Sequence, residues 1–276
     1  PVSPHLEITE IADRVMKSSP PSNKALLFED VPGYDMPVLI NTFGSAERMA
    51  WALGVTNLDE LSHRLSKLID LRLPQDFGQS VSRGRDLLEV FRSIGLQPRK
   101  VKRAPVQQVV HSENASLDRL PVLQCWPKDA GRFITLPQVI TRDPQTGIRN
   151  VGMYRLQVLD ERRLLIHWQR HKGGAEHAQA ARRNQKEFIP AAIVLGGDPT
   201  SIWCASAPLP PNIDEYLLAG YLRRVPVPFV NCLTQPLEVP AQAEIVIEGY
   251  VDPNQQLPEG PFGDHTGFYS LAGWYP

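Results

Sequence analysis

Proline is the residue that most constrains how this chain can fold, because 26 of its 276 residues are prolines. Each proline fixes the backbone angle φ and removes an N–H group that a helix interior or an inner strand would need. Many of the prolines lie after residue 105, where helical periodicity gives way to short apolar runs bounded by turn residues. The proline content therefore argues against a long-helix fold and predicts many short elements joined by turns.

The apolar pattern divides the chain into two parts. Residues 1–105 carry both helical and strand patterns, and we interpret them as an N-terminal mixed α/β domain. Residues 106–276 are rich in strand patterns and are interpreted as a second, sheet- or barrel-rich domain. Helices are predicted at residues 6–16, 46–53, 58–69, 83–94, 176–184 and 214–223, with Ser45 and Asn57 as helix N-caps. Strands are predicted at residues 25–28, 37–40, 134–141, 151–159, 164–168, 191–195, 229–233 and 244–251.

Charge and cysteine content exclude several classes of protein. The chain has 29 lysines and arginines against 30 aspartates and glutamates, so it offers no basic field that would attract nucleic acid. Its three cysteines, Cys125, Cys204 and Cys232, are far apart and form no C-x-x-C pair, which argues against a disulfide framework or a zinc site. No apolar run is long enough to cross a bilayer, and the first residues do not resemble a signal peptide. These features predict a soluble, cytoplasmic protein.

The sequence also lacks the commonest catalytic and nucleotide-binding motifs. It contains neither the glycine-rich phosphate loop nor the dinucleotide-binding loop, and it has no zinc-protease helix or serine-hydrolase elbow. Any chemistry must therefore come from a less common arrangement of residues.

One segment, residues 258–267, holds two carboxylates among glycines and prolines. Glycine and proline fix the course of a loop, so Glu259 and Asp264 are predicted to point into one cleft as an acid/base pair. In such a pair, mutual repulsion would raise the pKa of one carboxyl group. The alternative is a solvated surface turn, since acidic turns rich in glycine and proline are common.

Three polar residues near predicted strand and helix ends form a candidate site for a hard cation. Asn150, His171 and Glu215 supply an amide oxygen, an imidazole and a carboxylate, which suit Mn²⁺ or Mg²⁺. The alternatives are that His171 is a hydrogen-bonded or solvent-exposed histidine without a ligand role, and that Glu215 compensates a helix dipole. Arg155 has a planar guanidinium group that can bind a carboxylate or a phosphate through two N–H groups. The alternative is that Arg155 is an arginine on the surface. His167 lies four residues before His171, and we assign it no role.

Five segments carry a family resemblance: residues 150–155 (NVGMYR), 171–175 (HKGGA), 214–216 (DEY), 243–249 (AEIVIEG) and 259–267 (EGPFGDHTG). In order and spacing they resemble the UbiD family of prenylated-FMN-dependent decarboxylases. Within this family they most resemble the branch that acts on 3-polyprenyl-4-hydroxybenzoate. The similarity extends along essentially the whole chain.

The resemblance implies an α+β fold. The N-terminal mixed α/β domain of residues 1–105 would be followed by a split β-barrel, flavin-reductase-like cofactor domain of residues 106–276. The resemblance also implies that the family's C-terminal α/β domain is absent and that the chain is truncated at both ends.

The same resemblance implies a site. Asn150, His171 and Glu215 would bridge Mn²⁺ (or Mg²⁺) to the phosphate of prenylated FMN, with K⁺ as a further ion, and Arg155, Glu259 and Asp264 would be catalytic. The implied cofactor-binding residues are Asn150, Gly152, Met153, Tyr154, Arg155, Arg170, His171, Ala205, Ser206, Pro208 and Glu215.

The implied activity is the non-oxidative, reversible decarboxylation of an aromatic acid of the 4-hydroxybenzoate type. Implied partners are this acid, a flavin prenyltransferase that supplies the cofactor, and further copies of the chain in a homo-oligomer. A prenylated substrate would also bring the protein to a membrane surface. The alternatives are a truncated flavin-nucleotide-binding module without catalysis, a decarboxylase of another aromatic or acrylic acid, and a structural paralogue with a decayed site.

Overall fold

The computed structural model describes residues 1–19, 21–69, 96–169, 173–209 and 214–276. Helices and strands occur in both halves of the chain, which confirms the prediction of a fold that contains both kinds of element. The helix predicted at residues 83–94 lies outside the described residues. The described helices are α1 (Glu7–Met16), α2 (Ala46–Leu53), α3 (Leu58–Ile69), α4 (Gly173–Arg183), α5 (Pro199–Cys204) and α6 (Glu215–Arg223).

Strands are short. They are β1 (Leu26–Phe28), β2 (Val38–Ile40), β3 (Arg99–Lys100), β4 (Phe133–Ile134), β5 (Gln138–Arg142), β6 (Arg149–Met153), β7 (Leu156–Val158), β8 (Leu164–Ile166), β9 (Ile189–Leu195), β10 (Pro228–Asn231), β11 (Glu238–Pro240), β12 (Ile245–Val251), β13 (Leu257–Glu259), β14 (Phe262–Gly263), β15 (Tyr269–Ser270) and β16 (Gly273–Tyr275).

The predicted helix caps of the N-terminal part are confirmed. The hydroxyl of Ser45 accepts from the N–H of Arg48 at 3.2 Å and begins α2. Asn57 Oδ1 accepts from the N–H of Glu60 at 3.0 Å at the start of α3. These side chains bind N–H groups that have no partner inside the first turn of a helix.

Two strand predictions are wrong in extent, because each run is interrupted. Residues 134–141 form β4 and β5, which belong to different sheets and are separated by a segment that contains Pro137. Residues 151–159 form β6 and β7, and the chain passes from one sheet to another at Tyr154 and Arg155. Arg155 therefore lies at the junction of two sheets.

A four-stranded antiparallel sheet in the order β12-β9-β5-β6 forms the centre of the described structure. Alternate side chains of its strands point to opposite faces. Val139 and Ile193 pack in one apolar cluster with Ala178 of α4. Ile140 and Val194 pack in a second cluster, which also contains Tyr216, Ala219 and Leu222 of α6. The sheet is therefore buried on both faces, and it holds β6 between the helices α4 and α6.

The smaller sheets are the three-stranded β4-β7-β8 and β11-β10-β3 and the pairs β1-β2, β13-β16 and β14-β15. No closed barrel forms among the strands of the described ranges. The split β-barrel and the domain boundary at residue 105 stay predictions. None of the helices in the described part of the chain has both the length and the apolar character that spanning a membrane requires.

Candidate active site

A hairpin places Arg155 opposite His167. Strands β7 and β8 pair with Leu156 opposite Ile166, and the N–H of His167 donates to the carbonyl of Arg155 at 3.1 Å. Residues directly opposite each other in antiparallel strands point to the same face. The guanidinium and the imidazole therefore leave the hairpin on the same side.

The carboxylate between these two side chains belongs to Glu259, the last residue of β13. It is fully buried, and its oxygens accept from Arg155 Nε at 2.7 Å and from Arg155 Nη2 at 3.0 Å. His167 Nδ1 lies 3.1 Å from Glu259 Oε2. Burial raises the pKa of Glu259, but the hydrogen bonds from His167 and Arg155 outweigh burial and hold this pKa below its usual value. Glu259 is therefore a buried carboxylate that stays ionised.

Two buried polar side chains hold the loop that follows Glu259. Gln157 accepts from the N–H of Gly260 at 2.9 Å. Asp129 accepts from the N–H of Gly263 at 2.7 Å and from the N–H of Trp126 at 2.9 Å. Gly260 has a φ of 90°, a conformation that favours glycine. These contacts fix the backbone on which Glu259 is presented.

The guanidinium of Arg155 has two further contacts from the same loop region. Its central carbon lies 4.4 Å from the centroid of the Phe262 ring, a cation–π arrangement. Its Nη2 also donates to Ser270 Oγ at 3.1 Å. Arg155 is thus held on three sides, by an acid, a ring and a hydroxyl.

Asp264 lies in the turn between β14 and β15 and is partly exposed. Its carboxylate accepts from the side chain and from the N–H of Thr266, and these bonds lower its pKa, with smaller contributions from His265 and Arg155. The expectation that repulsion raises the pKa of one acid of the pair is wrong, because both carboxyl groups have lowered pKa values. The reason is that each acid has hydrogen-bond donors of its own.

Two of the three predicted metal ligands lie together at the start of β6. Asn150 is the second residue of this strand, and the N–H of the next residue, Val151, donates to Glu215 Oε2 at 3.0 Å. Burial raises the pKa of Glu215 to about 7. The amide of Asn150 donates through Nδ2 to the hydroxyl of Tyr154 at 3.2 Å.

The third predicted ligand, His171, and the predicted cofactor contact Arg170 lie outside the described residues. Within the described ranges, no group of three histidine, cysteine, aspartate or glutamate side chains is placed to hold a metal. Asn150 and Glu215 can each supply an oxygen ligand to a metal ion. A bound cation would stabilise the charged form of Glu215, which burial disfavours. The residues present therefore fit a hard divalent ion.

Backbone contacts join the remaining predicted cofactor residues. The N–H of Met153 donates to the carbonyl of Ala205 at 2.9 Å, which links the end of β6 to the end of α5. Ser206 and Pro208 follow and are exposed, and Met153 and Ser206 line an apolar pocket with Leu53 and Trp203.

A glycine near the end of β6 allows the ring of Tyr154 to pack against this strand. A Cβ atom at Gly152 would lie 2.1 Å from carbon atoms of the Tyr154 ring. The hydroxyl of Tyr154 also accepts from the N–H of Gly174 at 3.2 Å. Tyr154 therefore connects β6 to the first turn of α4.

His167 is the site residue that we did not predict. The four-residue spacing between His167 and His171 on a strand does not by itself form a metal-binding face, so we assigned His167 no role. The signal that would have found it is the hairpin turn at residues 159–163, whose position sets the register of β7 and β8 and hence places His167 opposite Arg155.

Two family models match the chain and define its class. One, described as the 3-octaprenyl-4-hydroxybenzoate carboxy-lyase Rift-related domain, matches residues 99–276. The other, the 3-octaprenyl-4-hydroxybenzoate carboxy-lyase N-terminal domain, matches residues 1–67. The chain therefore belongs to the UbiD family.

Among curated relatives, an uncharacterized protein from Aquifex aeolicus is 50% identical over 277 residues, which cover 100% of this chain and 56% of that protein. An uncharacterized protein from Archaeoglobus fulgidus is 46% identical and is covered to 55%. The chain thus spans about half the length of the curated relatives that it matches.

Solved structures of UbiD-class enzymes share the fold. HmfF from Pelotomaculum thermopropionicum in complex with FMN superposes with a TM-score of 0.82 at 30% identity, covering 100% of this chain and 56% of that one. An evolved dimeric form of HmfF with prFMN gives a TM-score of 0.83 at 30% identity, with 100% and 58% covered. Vanillic acid decarboxylase from Sedimentibacter hydroxybenzoicus, in its closed form, gives 0.81 at 29% identity, with 99% and 55% covered.

Proposed function

We propose that this chain forms the cofactor-binding part of a carboxy-lyase that reversibly removes CO₂ from an aromatic acid of the 4-hydroxybenzoate type. The observation that carries the proposal is the buried, bidentate pair of Arg155 and Glu259 beside the strand that bears Asn150. Family membership and the FMN-bound and prFMN-bound structures with the same fold support it.

In this proposal Arg155 holds the substrate carboxylate. Its Nε and Nη2 are engaged by Glu259 and Ser270, while no described residue accepts from its Nη1. An N–H group held in place and directed away from its acid partner is suited to a carboxylate or to an electron-rich ring. Glu259 would keep the guanidinium in this orientation without itself touching the substrate.

Asn150 and Glu215, with His171, would hold Mn²⁺ or Mg²⁺ against the phosphate of prenylated FMN, and K⁺ would be a further ion. Asn150 lies in β6, and Arg155 follows the end of this strand at the junction with β7. The residue that would help to hold the metal and the residue that would hold the substrate carboxylate therefore lie on one continuous segment of the chain. Gly152, Met153, Tyr154, Arg170, Ala205, Ser206 and Pro208 would complete the contacts.

The cofactor, when bound, supplies an electron sink for the charge that loss of CO₂ leaves on an aromatic ring, a task that no side chain can perform. Asp264 would deliver a proton to the carbon that loses CO₂. Its lowered pKa and its bonds to Thr266 describe the protein without substrate. Desolvation by an aromatic ring would raise the pKa of this carboxyl group toward the range useful for proton transfer.

The proposal is tested by co-expressing the chain with a flavin prenyltransferase and measuring the flavin spectrum and CO₂ release from 4-hydroxybenzoate, vanillate and cinnamate. Asp264→Asn should retain the flavin and lose turnover by at least about 100-fold. The matched control is Asp252→Asn, because Asp252 also accepts from backbone N–H groups in a nearby turn, at 2.8 and 3.3 Å.

Full turnover by Asp264→Asn would remove this residue from the mechanism. Bound flavin without CO₂ release from any of the acids would favour a flavin-nucleotide-binding module, and release from cinnamate alone would move the substrate to acrylic acids.

A further inference from the structure

His167 contacts the carboxylate on which the proposed site depends. Its Nδ1 lies 3.1 Å from Glu259 Oε2, the same oxygen that accepts from Arg155 Nη2. The side chain of His167 is 16% exposed, while that of Glu259 is fully buried. This contact is therefore made where water competes weakly for the carboxylate.

The chemistry of the pair fixes which atom donates. Glu259 is ionised, because donors from Arg155 and His167 hold its pKa below the usual value, and an ionised carboxylate only accepts. The proton between the two residues must therefore belong to His167 Nδ1. Because Nδ1 faces Glu259, the second ring nitrogen, Nε2, lies on the edge of the imidazole that points away from this carboxylate.

The ring and backbone of His167 are both held in place. The imidazole packs against the ring of Tyr275 with centroids 4.3 Å apart. The N–H of His167 donates to the carbonyl of Arg155, and the neighbouring N–H of Ile166 donates to the carbonyl of Pro276 at 2.7 Å. The donor is therefore presented from a rigid support, as a residue that orients another one must be.

We propose that His167 is a positioning residue, which donates to Glu259 Oε2 and fixes the carboxylate in the orientation that holds the Arg155 fork. Among the residues that the structure describes, the only other donor to Oε2 is Nη2 of Arg155, which also donates to Ser270. Without His167 the carboxylate can turn more freely about its terminal bond, and the guanidinium, which still contacts Phe262 and Ser270, is oriented less firmly. The expected effect of His167 on kcat rests on the proposed function, whereas its expected effect on the orientation of Arg155 does not.

The test uses two substitutions with opposite expectations. His167→Phe keeps a ring against Tyr275 and removes the donor, whereas His167→Gln keeps an uncharged N–H donor. The matched control is His111→Phe, at an exposed histidine outside the helices and strands. The first readout is solvent exchange of the Arg155 Nε proton, followed by NMR in protein labelled with ¹⁵N-arginine, with the signal assigned by its loss in Arg155→Lys.

We expect His167→Phe to speed this exchange by about tenfold or more and to lower kcat for CO₂ release on the order of tenfold, with KM changed less. His167→Gln should restore both quantities to near the wild-type values. Unchanged exchange in His167→Phe would overturn the proposal, as would equal damage from Phe and Gln. If the wild-type protein releases no CO₂, the proposed function fails, while the exchange measurement still decides the role of His167.

Discussion

Small residues determine how closely the elements of the candidate site approach one another. A Cβ atom at Gly173 would lie 1.9 Å from Asn150 Oδ1, and one at Gly174 would lie 2.3 Å from Trp168 Nε1. Asn150 is thus packed directly against the first residue of α4. A larger residue at position 173 must displace the amide that we assign to the metal.

This packing predicts that Gly173→Ala weakens Mn²⁺ binding without unfolding the protein. Alanine favours helix over glycine by about 1 kcal/mol, so α4 itself should not be harmed. Displacing Asn150 should lower Mn²⁺ affinity by about tenfold, measured by electron paramagnetic resonance.

The control is Gly249→Ala in β12, where a Cβ atom meets nothing within 4 Å. Equal Mn²⁺ affinity in the two variants would show that Asn150 does not contribute to the metal site.

Helix α6 and strand β6 are joined by adjacent pairs of residues. Arg149 Nη1 donates to Asp214 Oδ2 at 2.8 Å, and two positions further along β6 the N–H of Val151 donates to Glu215, the residue after Asp214. Asp214 is also the N-cap of α6, since its Oδ1 accepts from the N–H of Tyr216 at 2.9 Å. A single residue therefore begins the helix and holds it to the strand.

Asp214→Ala should lower the free energy of unfolding by about 1–2 kcal/mol, because the cap and the ion pair are both lost. It should also weaken Mn²⁺ binding, since Glu215 loses its support. Ser45→Ala removes a comparable cap from α2 and should cost about 1 kcal/mol without any effect on the metal. Urea unfolding and metal titration of both variants distinguish a general loss of stability from a local one.

The elements were predictable where local chemistry decides them. Ser45 and Asn57 are good caps in any context, and the turn residues before β2 mark a hairpin without help from the rest of the chain. The interruptions at Pro137 and at Tyr154–Arg155 were not predictable, because apolar runs look continuous even where the chain changes sheets. Sheet membership depends on partners that are distant in sequence.

The site was predictable only in part, for the same reason. The pairing of Arg155 with Glu259 joins residues 104 positions apart, and the resemblance to a family, rather than spacing, suggested it. His167 was missed because its role depends on hairpin register. The pKa expectation for the two acids was wrong because it considered their charges and not their hydrogen-bond donors.

At the scale of the whole molecule, the buried charge of Glu259 makes stability depend on pH. Its pKa in the folded protein lies below the ordinary value of 4.5. Its charge therefore stabilises the folded state above that pH, and the contribution is lost as the pH falls through the folded-state pKa.

Glu259→Gln leaves Arg155 without an ionised partner and should lower the free energy of unfolding by about 3 kcal/mol near neutral pH. The difference from the wild type should shrink as the pH falls below 4.5, the ordinary glutamate value. Urea unfolding at a series of pH values measures it, with the exposed Glu161→Gln as a control. A difference that does not change with pH would mean that the ionised form of Glu259 adds nothing.

The order of synthesis gives the sequence separation of His167 and Glu259 a further consequence. His167 leaves the ribosome 92 residues before its acceptor, which at ordinary translation speeds is a delay of about 5–20 s. During this interval the side chains of Arg155 and His167 lack the carboxylate that they contact in the folded protein. The contacts among Arg155, His167 and Glu259 can therefore form only after the segment that carries Glu259 has emerged from the ribosome.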